Sequence, residues 1–143
     1  MITFKSSKPK EVHQAAAIPF RCNDGRVEYC LITSSAGRWM FPKGFVDEDE
    51  TYGEAALKEA FEEAGLHGEI VDEPLGWYEI NKDEKSLTVV AMLMQVVQAD
   101  KEWEESDKRD RRWVSRKKAH ELLTEPDLRE LLDLASARIK RAA

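Results

Sequence analysis

The stretch from Gly44 to Leu66 constrains the fold more than any other part of the chain, because it carries both boundary signals of a helix. Thr51 followed three residues later by Glu54 has the spacing of a capping box, in which each side chain bonds a backbone N–H at the helix start. Gly65 is placed to end the helix, since glycine readily adopts the left-handed conformation common just past a C-terminus. The sequence therefore predicts a helix from Tyr52 to Ala64.

The predicted helix has two distinct faces at about 100° per residue. The arc expected to face the core consists of Leu57, Ala60, Phe61 and Ala64. On another arc, Glu59, Glu62 and Glu63 project together from two successive turns. Such a cluster is either a solvent face softened by ion pairs with Lys58, or a site for Mg²⁺ or Mn²⁺, which prefer oxygen ligands. Helical spacing alone leaves both interpretations open.

Apolar patterning predicts an α/β fold around this helix. A hairpin is indicated by extended patterns on either side of an Asn-Asp-Gly turn. A later apolar segment, hydrophobic on both faces, is typical of a central strand. The predicted strands are 12–20, 26–35, 39–41, 69–80, 86–97 and 111–114, and two further helices are expected after Ser115 and from Pro126 towards Arg141. This order favours a mixed sheet covered by helices on both faces.

The overall composition restricts the class of protein. A length of 143 residues fits one domain, and we expect residues 1–10 to form a loose N-terminal tail. The longest apolar run is far too short to cross a bilayer and the first residues lack an apolar signal core, so no membrane association and a cytoplasmic location are expected. Cys22 and Cys30 lack a metal-ligand spacing and are interpreted as reduced thiols. The net charge of −6 argues against nucleic-acid binding by simple phosphate neutralisation.

The wider pattern around the glutamates decides how they are interpreted. Over 23 positions the order is Gly44, Glu50, Lys58-Glu59, Glu62-Glu63 and Gly65-Leu66. This spacing resembles the signature of the Nudix hydrolases, with lysine at 58 where the family usually has arginine and Ala60 where it usually has a larger aliphatic residue. The flanks "RWMFPKGFVDEDE" and "RRWVSRKKAHELL" resemble the branch that includes diphosphoinositol polyphosphate and diadenosine polyphosphate hydrolases. The family fold is an α/β/α sandwich with a mixed β-sheet.

The resemblance implies a set of site residues. Glu59 and Glu63 would ligate the divalent cation, together with the backbone carbonyl of Lys43, and Glu62 would be the base that deprotonates the attacking water or a further ligand. Because the base varies within the family, Glu63 and the loop carboxylates Glu104 and Glu105 stay open as alternatives. Glu50 is interpreted as the orienting partner of Lys58, which offers a point charge where arginine offers a planar fork.

Basic residues outside the Gly44–Leu66 signature are candidates for substrate contacts. Arg38 and Lys43 could hold phosphates, and a second cluster consists of Arg109, Arg111 and Arg112. The alternative is that these arginines are solvated or paired with neighbouring acids. Trp39 could stack on a base, although a tryptophan in an extended apolar segment is more typically a core residue.

Three functional hypotheses follow. The first is a pyrophosphohydrolase, dependent on Mg²⁺ or Mn²⁺, that cleaves a nucleoside diphosphate linked to another moiety, such as a dinucleoside polyphosphate or a diphosphoinositol-polyphosphate-like molecule. The second is a hydrolase for ADP-ribose, a nucleotide sugar or a 5′-triphosphorylated RNA end, which is the one nucleic-acid partner kept open. The third is a non-catalytic nucleotide-binding module. Under each hypothesis the protein could be a monomer or a dimer. The sequence leaves the substrate open, and the retained carboxylates favour an enzyme.

Overall fold

A computed structural model describes the backbone of residues 3–5 and the whole of residues 9–142. The strands are β1 (Thr3–Lys5), β2 (Gln14–Asn23), β3 (Arg26–Thr33), β4 (Trp39–Met40), β5 (Lys43–Phe45), β6 (Leu66–Ile70), β7 (Gly76–Lys82), β8 (Lys85–Ala99) and β9 (Arg111–Val114). The helices are α1 (Tyr52–Ala64), α2 (Arg116–Leu122) and α3 (Pro126–Ala142).

The strands form one mixed sheet, as predicted. Its main order is β1-β7-β8-β2-β3-β4, with β5 on β2, β6 on β8 and β9 on β3. β2 and β8 pair in parallel at the centre, and the other pairs are antiparallel. The β2–β3 hairpin turns at Asp24 and Gly25, which both have positive φ. The prediction that the 86–97 segment is central is confirmed.

Side chains that alternate along β2 divide the core into two layers. Ala16 and Ile18 belong to the cluster that includes the buried leucines of α3, whereas Ala15 and Ala17 belong to the cluster beneath α1. Successive residues of β8 divide in the same way, because neighbouring side chains in a strand point to opposite faces. Helices therefore cover both faces of the sheet, and the predicted α/β/α sandwich is confirmed.

Two details of the prediction were wrong. The segment 69–80 is not one strand: Asp72, with a φ of 64°, and the nearby Pro74 break it between β6 and β7, which pair with successive parts of the same edge of β8. The N-terminal residues 3–5 are not loose, because their backbone forms the edge strand β1, which pairs with β7. The remaining part of that predicted tail at residues 1, 2 and 6–8 lies outside the described residues.

Candidate functional site

Helix α1 begins and ends where the sequence predicted. Thr51 accepts a hydrogen bond from the backbone N–H of Glu54, whose side chain accepts one from the N–H of Thr51 in return. Gly65 ends the helix in the left-handed conformation, with φ 66° and ψ 32°. Both ends of the helix are thus fixed by local chemistry, which sets the angular positions of the side chains between them.

The face of α1 that packs on the sheet differs from the predicted one. Leu57 is only partly buried and Phe61 is 48% exposed, although both were expected to face the core. The buried residues are instead Ala55, Ala56, Glu59, Ala60, Glu63 and Ala64. Four of these six are alanines, whose small side chains let the helix lie close to the sheet. Two of the three clustered glutamates are therefore enclosed between helix and sheet.

The carboxylate of Glu59 lies directly over the backbone of Gly44 in β5. A Cβ atom added to Gly44 would lie 2.2 Å from Glu59 Cδ and 2.3 and 2.7 Å from its two oxygens. No side chain other than hydrogen fits beside this carboxylate without moving it. The glycine at the first position of the sequence signature is thus explained by a contact with a glutamate that lies fifteen positions later.

Glu63 is held from two directions. Its Oε1 accepts a hydrogen bond of 3.0 Å from the backbone N–H of Lys43, and its Oε2 lies 3.4 Å from Nη2 of Arg109. Burial nevertheless raises the pKa of Glu63 to about 7, which the Arg109 charge and the Lys43 N–H only partly offset. Burial and the neighbouring Glu62 likewise raise the pKa of Glu59. Two buried carboxylates with raised pKa values on adjacent turns would both be stabilised as anions by a bound cation.

Lys58 lies beside the carboxylates and bonds to acids outside the cluster. Its Nζ is 3.0 Å from Glu50 Oε1, 3.0 Å from Asp47 Oδ2 and 3.9 Å from Glu59 Oε2. The hydrogen bonds to Glu50 and Asp47 raise the pKa of Lys58, which keeps it charged. The Glu50 partner was predicted, whereas Asp47 was not. The expected helical ion pairs of Lys58 are replaced by contacts with the loop that precedes the helix.

These side chains line one open cavity of about 580 Å³. Its acidic wall is Glu59, Glu62 and Glu63, and its other lining residues include Gln14, Ser34, Met40, Lys43, Gly44, Phe45, Asp47, Lys58, Lys82 and Arg109. Lys43 Nζ bonds Gln14 Oε1 at 3.3 Å, and burial lowers the pKa of Lys43. Gln14 and Lys82 were not predicted, because they come from distant strands that only the sheet brings together.

Three arginines that were candidates for substrate contacts do not line this cavity. Arg38 forms an ion pair with Glu125, with 3.6 Å between Nη1 and Oε1. Arg111 donates a hydrogen bond of 2.7 Å to the backbone carbonyl of Ala64 at the end of α1. Arg112 lies over the Trp39 ring with 5.8 Å to its centroid. Of the five basic residues proposed from the sequence outside the Gly44–Leu66 signature, Lys43 and Arg109 line the cavity beside the carboxylates.

Trp103, which no sequence motif singles out, joins the polar loop between β8 and β9 to helix α1. Its Nε1 donates a hydrogen bond of 2.9 Å to the backbone carbonyl of Glu63, and the guanidinium of Arg111 covers its ring at 4.1 Å from the centroid. A Cβ on Gly65 would lie 2.8 Å from the Cβ of Trp103. The loop between β8 and β9, which includes Arg109 and Glu105, is thereby anchored against the last turn of α1, where Glu63 lies.

The donor set suits a hard divalent cation that is completed by other ligands. Glu59, Glu62 and Glu63 supply carboxylate oxygens, and the absence of a side chain at Gly44 leaves room for the Glu59 carboxylate beside β5. Within residues 9–142, no three acid, histidine or cysteine side chains come together closely enough to hold a metal by themselves. Backbone oxygen, water and substrate phosphates would therefore have to contribute, as Mg²⁺ commonly requires.

Comparison with known proteins establishes the family. The profile of the NUDIX domain matches residues 11–135, which is most of the chain. The chain belongs to the NUDIX domain family. Members of this family generally use divalent metal ions.

Individual relatives agree with this assignment. Nudix hydrolase 4 of Arabidopsis thaliana is 37% identical over 112 residues, which cover 75% of this chain and 53% of the relative. Diphosphoinositol polyphosphate phosphohydrolase 3-beta of Bos taurus is 38% identical over 95 residues, covering 65% of this chain and 56% of the relative. The chain thus spans about half the length of these curated relatives. The predicted similarity to the branch that includes diphosphoinositol polyphosphate hydrolases is confirmed.

Solved structures show the same fold. An Ap4A hydrolase of C. elegans superposes with a TM-score of 0.71 at 24% sequence identity, covering 90% of this chain and 99% of that protein.

Among the helices of residues 9–142, none has the length and apolar character needed to cross a membrane.

Proposed function

We propose that the chain is a divalent-metal-dependent pyrophosphohydrolase that cleaves a nucleoside diphosphate linked to another moiety, such as a dinucleoside polyphosphate or a diphosphoinositol-polyphosphate-like molecule. The observation that carries the proposal is the convergence of buried Glu59 and Glu63 with Lys43 and Arg109 in one open cavity. Acids and bases face each other there, so the cavity offers contacts both for a cation and for phosphate oxygens. The names of the relatives support the reaction class.

Mg²⁺ or Mn²⁺ would be held by Glu59, Glu63 and the Lys43 carbonyl, with Glu62 beside them. Such an ion neutralises the phosphoanhydride oxygens and lowers the pKa of bound water. Lys58, fixed by Glu50, keeps a positive charge 3.9 Å from Glu59 and so favours its ionised form. These contacts would hold the acidic wall in place while substrate enters.

Lys43 and Arg109 would bind phosphate oxygens beside the acidic wall. Arg109 is well fixed for this role, because it donates hydrogen bonds to the Thr33 carbonyl at 2.8 Å and to Glu105 at 2.7 Å. Charge-assisted bonds from a fixed guanidinium suit the planar arrangement of phosphate oxygens. A substrate with several phosphates would use Lys82, an exposed residue that also lines the cavity.

Glu62 is the proposed base for the attacking water. Two of its rivals are engaged elsewhere: Glu63 accepts from Lys43 and Arg109, and Glu105 accepts from Arg109. Glu62 is only partly buried and lines the cavity, so water can reach its carboxylate. Removing a general base typically costs about 10²- to 10⁴-fold in rate.

The test is chromatographic detection of the cleavage products from a panel containing diadenosine tetraphosphate, ADP-ribose, a nucleotide sugar, 5′-triphosphorylated RNA and a diphosphoinositol. Hydrolysis should require Mg²⁺ or Mn²⁺, stop with chelator and fall strongly in Glu62→Gln and Glu63→Gln, whereas Glu130→Gln on the exposed face of α3 serves as the matched control. Activity that persists with chelator, or in Glu63→Gln, contradicts the metal assignment. Tight binding without cleavage of any member would instead support the non-catalytic module. The cytoplasmic location and the oligomeric state stay predictions.

A further inference from the structure

The last turn of α1 ends in backbone carbonyl groups that need partners from outside the helix. The final carbonyls of an α-helix have no intrahelical N–H to bond, and here the N–H of Gly65 reaches back only to Ala60 and Phe61. The carbonyls of Glu63 and Ala64 therefore depend on other elements. The last turn, Phe-Glu-Glu-Ala, also carries no basic side chain that would offset the negative end of the helix dipole.

Two side chains that follow β8 in the chain bond these carbonyls. Trp103 Nε1 donates to the carbonyl of Glu63 at 2.9 Å, and Arg111 Nη1 donates to the carbonyl of Ala64 at 2.7 Å. The charge of Arg111 also offsets the helix dipole, which favours cations at this end. The Arg111 guanidinium covers the Trp103 ring at 4.1 Å, so each side chain restrains the other. We call Trp103 and Arg111 the clamp.

The clamp packs closely on the residue that ends the helix. A Cβ added to Gly65 would lie 2.8 Å from Trp103 Cβ and 3.0 Å from its Cγ. The backbone N–H of Asp100 donates a hydrogen bond of 2.9 Å to the Gly65 carbonyl. Three consecutive carbonyls, those of residues 63–65, thus accept hydrogen bonds from residues 100–111.

The same loop brings Arg109 to the Glu63 carboxylate. Arg109 Nη2 lies 3.4 Å from Glu63 Oε2, and the guanidinium is held by hydrogen bonds to the Glu105 side chain and the Thr33 carbonyl. One loop therefore bonds Glu63 at two points, since Trp103 bonds its backbone carbonyl and Arg109 bonds its carboxylate. A shift of the loop along the helix would alter both contacts.

We propose that the clamp positions Arg109 against the Glu63 carboxylate for the proposed reaction. Neither clamp side chain is among the described residues that line the cavity, so both act through the last turn of α1 and through the loop. Trp103 and Arg111 are thus positioning residues and make no contact with the reacting atoms. The inference rests on the proposed function, because it assigns the clamp to the placement of groups in that reaction.

The hydrogen bond from Trp103 can be removed with little change in packing. Trp103→Phe keeps an aromatic ring on Gly65 and beneath Arg111 but has no N–H donor. A displacement of a catalytic group by about 1 Å can cost about 100-fold in rate. Because the Arg111 bond remains, kcat on the best panel substrate should fall by about tenfold or more in Trp103→Phe.

Arg111→Met tests the other half of the clamp. It removes the bond to the Ala64 carbonyl and should also lower kcat by about tenfold or more. Trp113→Phe and Arg21→Met are the matched controls, because that pair has the same kind of contact, at 4.0 Å, and joins β9 to β2. Both controls should keep the wild-type kcat. A loss in the controls that equals the loss in the clamp variants overturns the proposal.

A double-mutant cycle distinguishes positioning from a general weakening of the fold. Arg109→Met removes the guanidinium that the clamp positions, so adding Trp103→Phe should lower kcat further by less than about threefold. A weakened fold would instead reduce the amount of active enzyme by the same factor in both backgrounds. Equal losses in both backgrounds, or an unchanged kcat in Trp103→Phe alone, overturn the proposal.

Amide hydrogen exchange tests the clamp without any hydrolysis. The Gly65 N–H closes the last turn of α1, and the Arg109 N–H is bonded within the loop. In Trp103→Phe both amides should exchange about threefold or more faster, because a lost hydrogen bond favours local opening. The Ala17 N–H, bonded to the Pro42 carbonyl in the sheet, should keep its rate. Equal acceleration at all three amides, or none at Gly65, overturns the proposal.

These measurements separate the clamp from the hydrolase proposal. If the wild-type chain cleaves no member of the panel, the hydrolase proposal fails, and the exchange rates still decide whether the clamp fixes Arg109 to the helix end. If the chain cleaves a substrate and Trp103→Phe matches the wild type in both kcat and exchange, the hydrolase proposal stands and the clamp proposal fails.

Discussion

Replacing Gly44 by alanine tests whether the close contact with Glu59 serves the site or the fold. The new methyl carbon would lie 2.2 Å from Glu59 Cδ, whereas carbon atoms at optimal separation lie about 3.5–4.0 Å apart, so the carboxylate must retreat by about 1.3 Å or more. It can do so, because it ends a flexible side chain that faces an open cavity. The backbone itself tolerates alanine, since Gly44 lies in the extended strand β5.

The expected result is a large loss of activity with a small change in stability. Misplacing a catalytic group by about 1 Å can cost about 100-fold, which corresponds to about 2.7 kcal/mol in the activation barrier. A compatible glycine-to-alanine change stabilises a fold by about 0.4–1 kcal/mol, which partly offsets the displaced Glu59 contact. Hydrolysis of the best panel substrate should therefore fall by about 100-fold or more, while the free energy of unfolding in urea changes by no more than about 1 kcal/mol.

Gly53→Ala in the first turn of α1 is the matched control. Its added Cβ would meet only the Ile70 side chain, at 3.3 Å from Cγ1, so activity should be retained. Wild-type kcat/KM in Gly44→Ala would refute the role given to the Glu59 position. A loss of stability of several kcal/mol would instead show that the carboxylate cannot move aside.

Three further predictions concern charge and thiol chemistry. Lys58→Met should lower activity and change the free energy of unfolding by no more than about 1 kcal/mol. The change in stability is small because the two carboxylates that lose their partner, Asp47 and Glu50, are partly solvated. An unaltered kcat/KM would count against an orienting role for Lys58. A thiol reagent should modify exposed Cys22 alone in the native protein, because Cys30 is buried and burial raises the pKa of its thiol to about 12; two modified thiols before urea is added would contradict this. Asp100→Asn should lower the unfolding temperature at pH 6. The hydrogen bond with His67 lowers the pKa of Asp100 from 3.8, so the ionised carboxylate stabilises the folded state above that pH. The difference in unfolding temperature between wild type and variant should vanish as the pH falls through the pKa of the folded state, and a difference that stays constant with pH would refute this.

Much of the local structure follows from the sequence because its causes are local. The capping box at Thr51 and the left-handed Gly65 lie next to the helix ends that they fix, and the Asn-Asp-Gly turn lies within the hairpin that it closes. The end of β6 is harder to predict from sequence than the ends of α1, since the break at Asp72 depends on how β6 and β7 share one edge of β8. Short-range signals predict individual helices and turns well. Which strands pair with one edge of a neighbouring strand can be determined only from the folded sheet.

Helix α1 shows the same difference between local and tertiary information, because its spacing and its packing select different residues for burial. Periodicity placed Glu59, Glu62 and Glu63 on one arc, and the structure keeps them there. Periodicity also suggested that Phe61 faces the core, yet the alanine-rich side packs on the sheet and leaves Phe61 about half exposed. A hydrophobic arc shows which residues could be buried, and the shape of the opposing surface selects among them.

The sequence by itself determined the family signature, the capped helix and the grouping of three carboxylates, because each depends on fixed spacing along one segment. Only the tertiary structure decided which charges meet them. It brings Lys43 and Arg109 to Glu63, directs Arg111 to the end of α1 and pairs Arg38 with Glu125. Those contacts join strands and loops far apart in the chain, and long basic side chains can reach several partners. Their choice depends on packing in three dimensions.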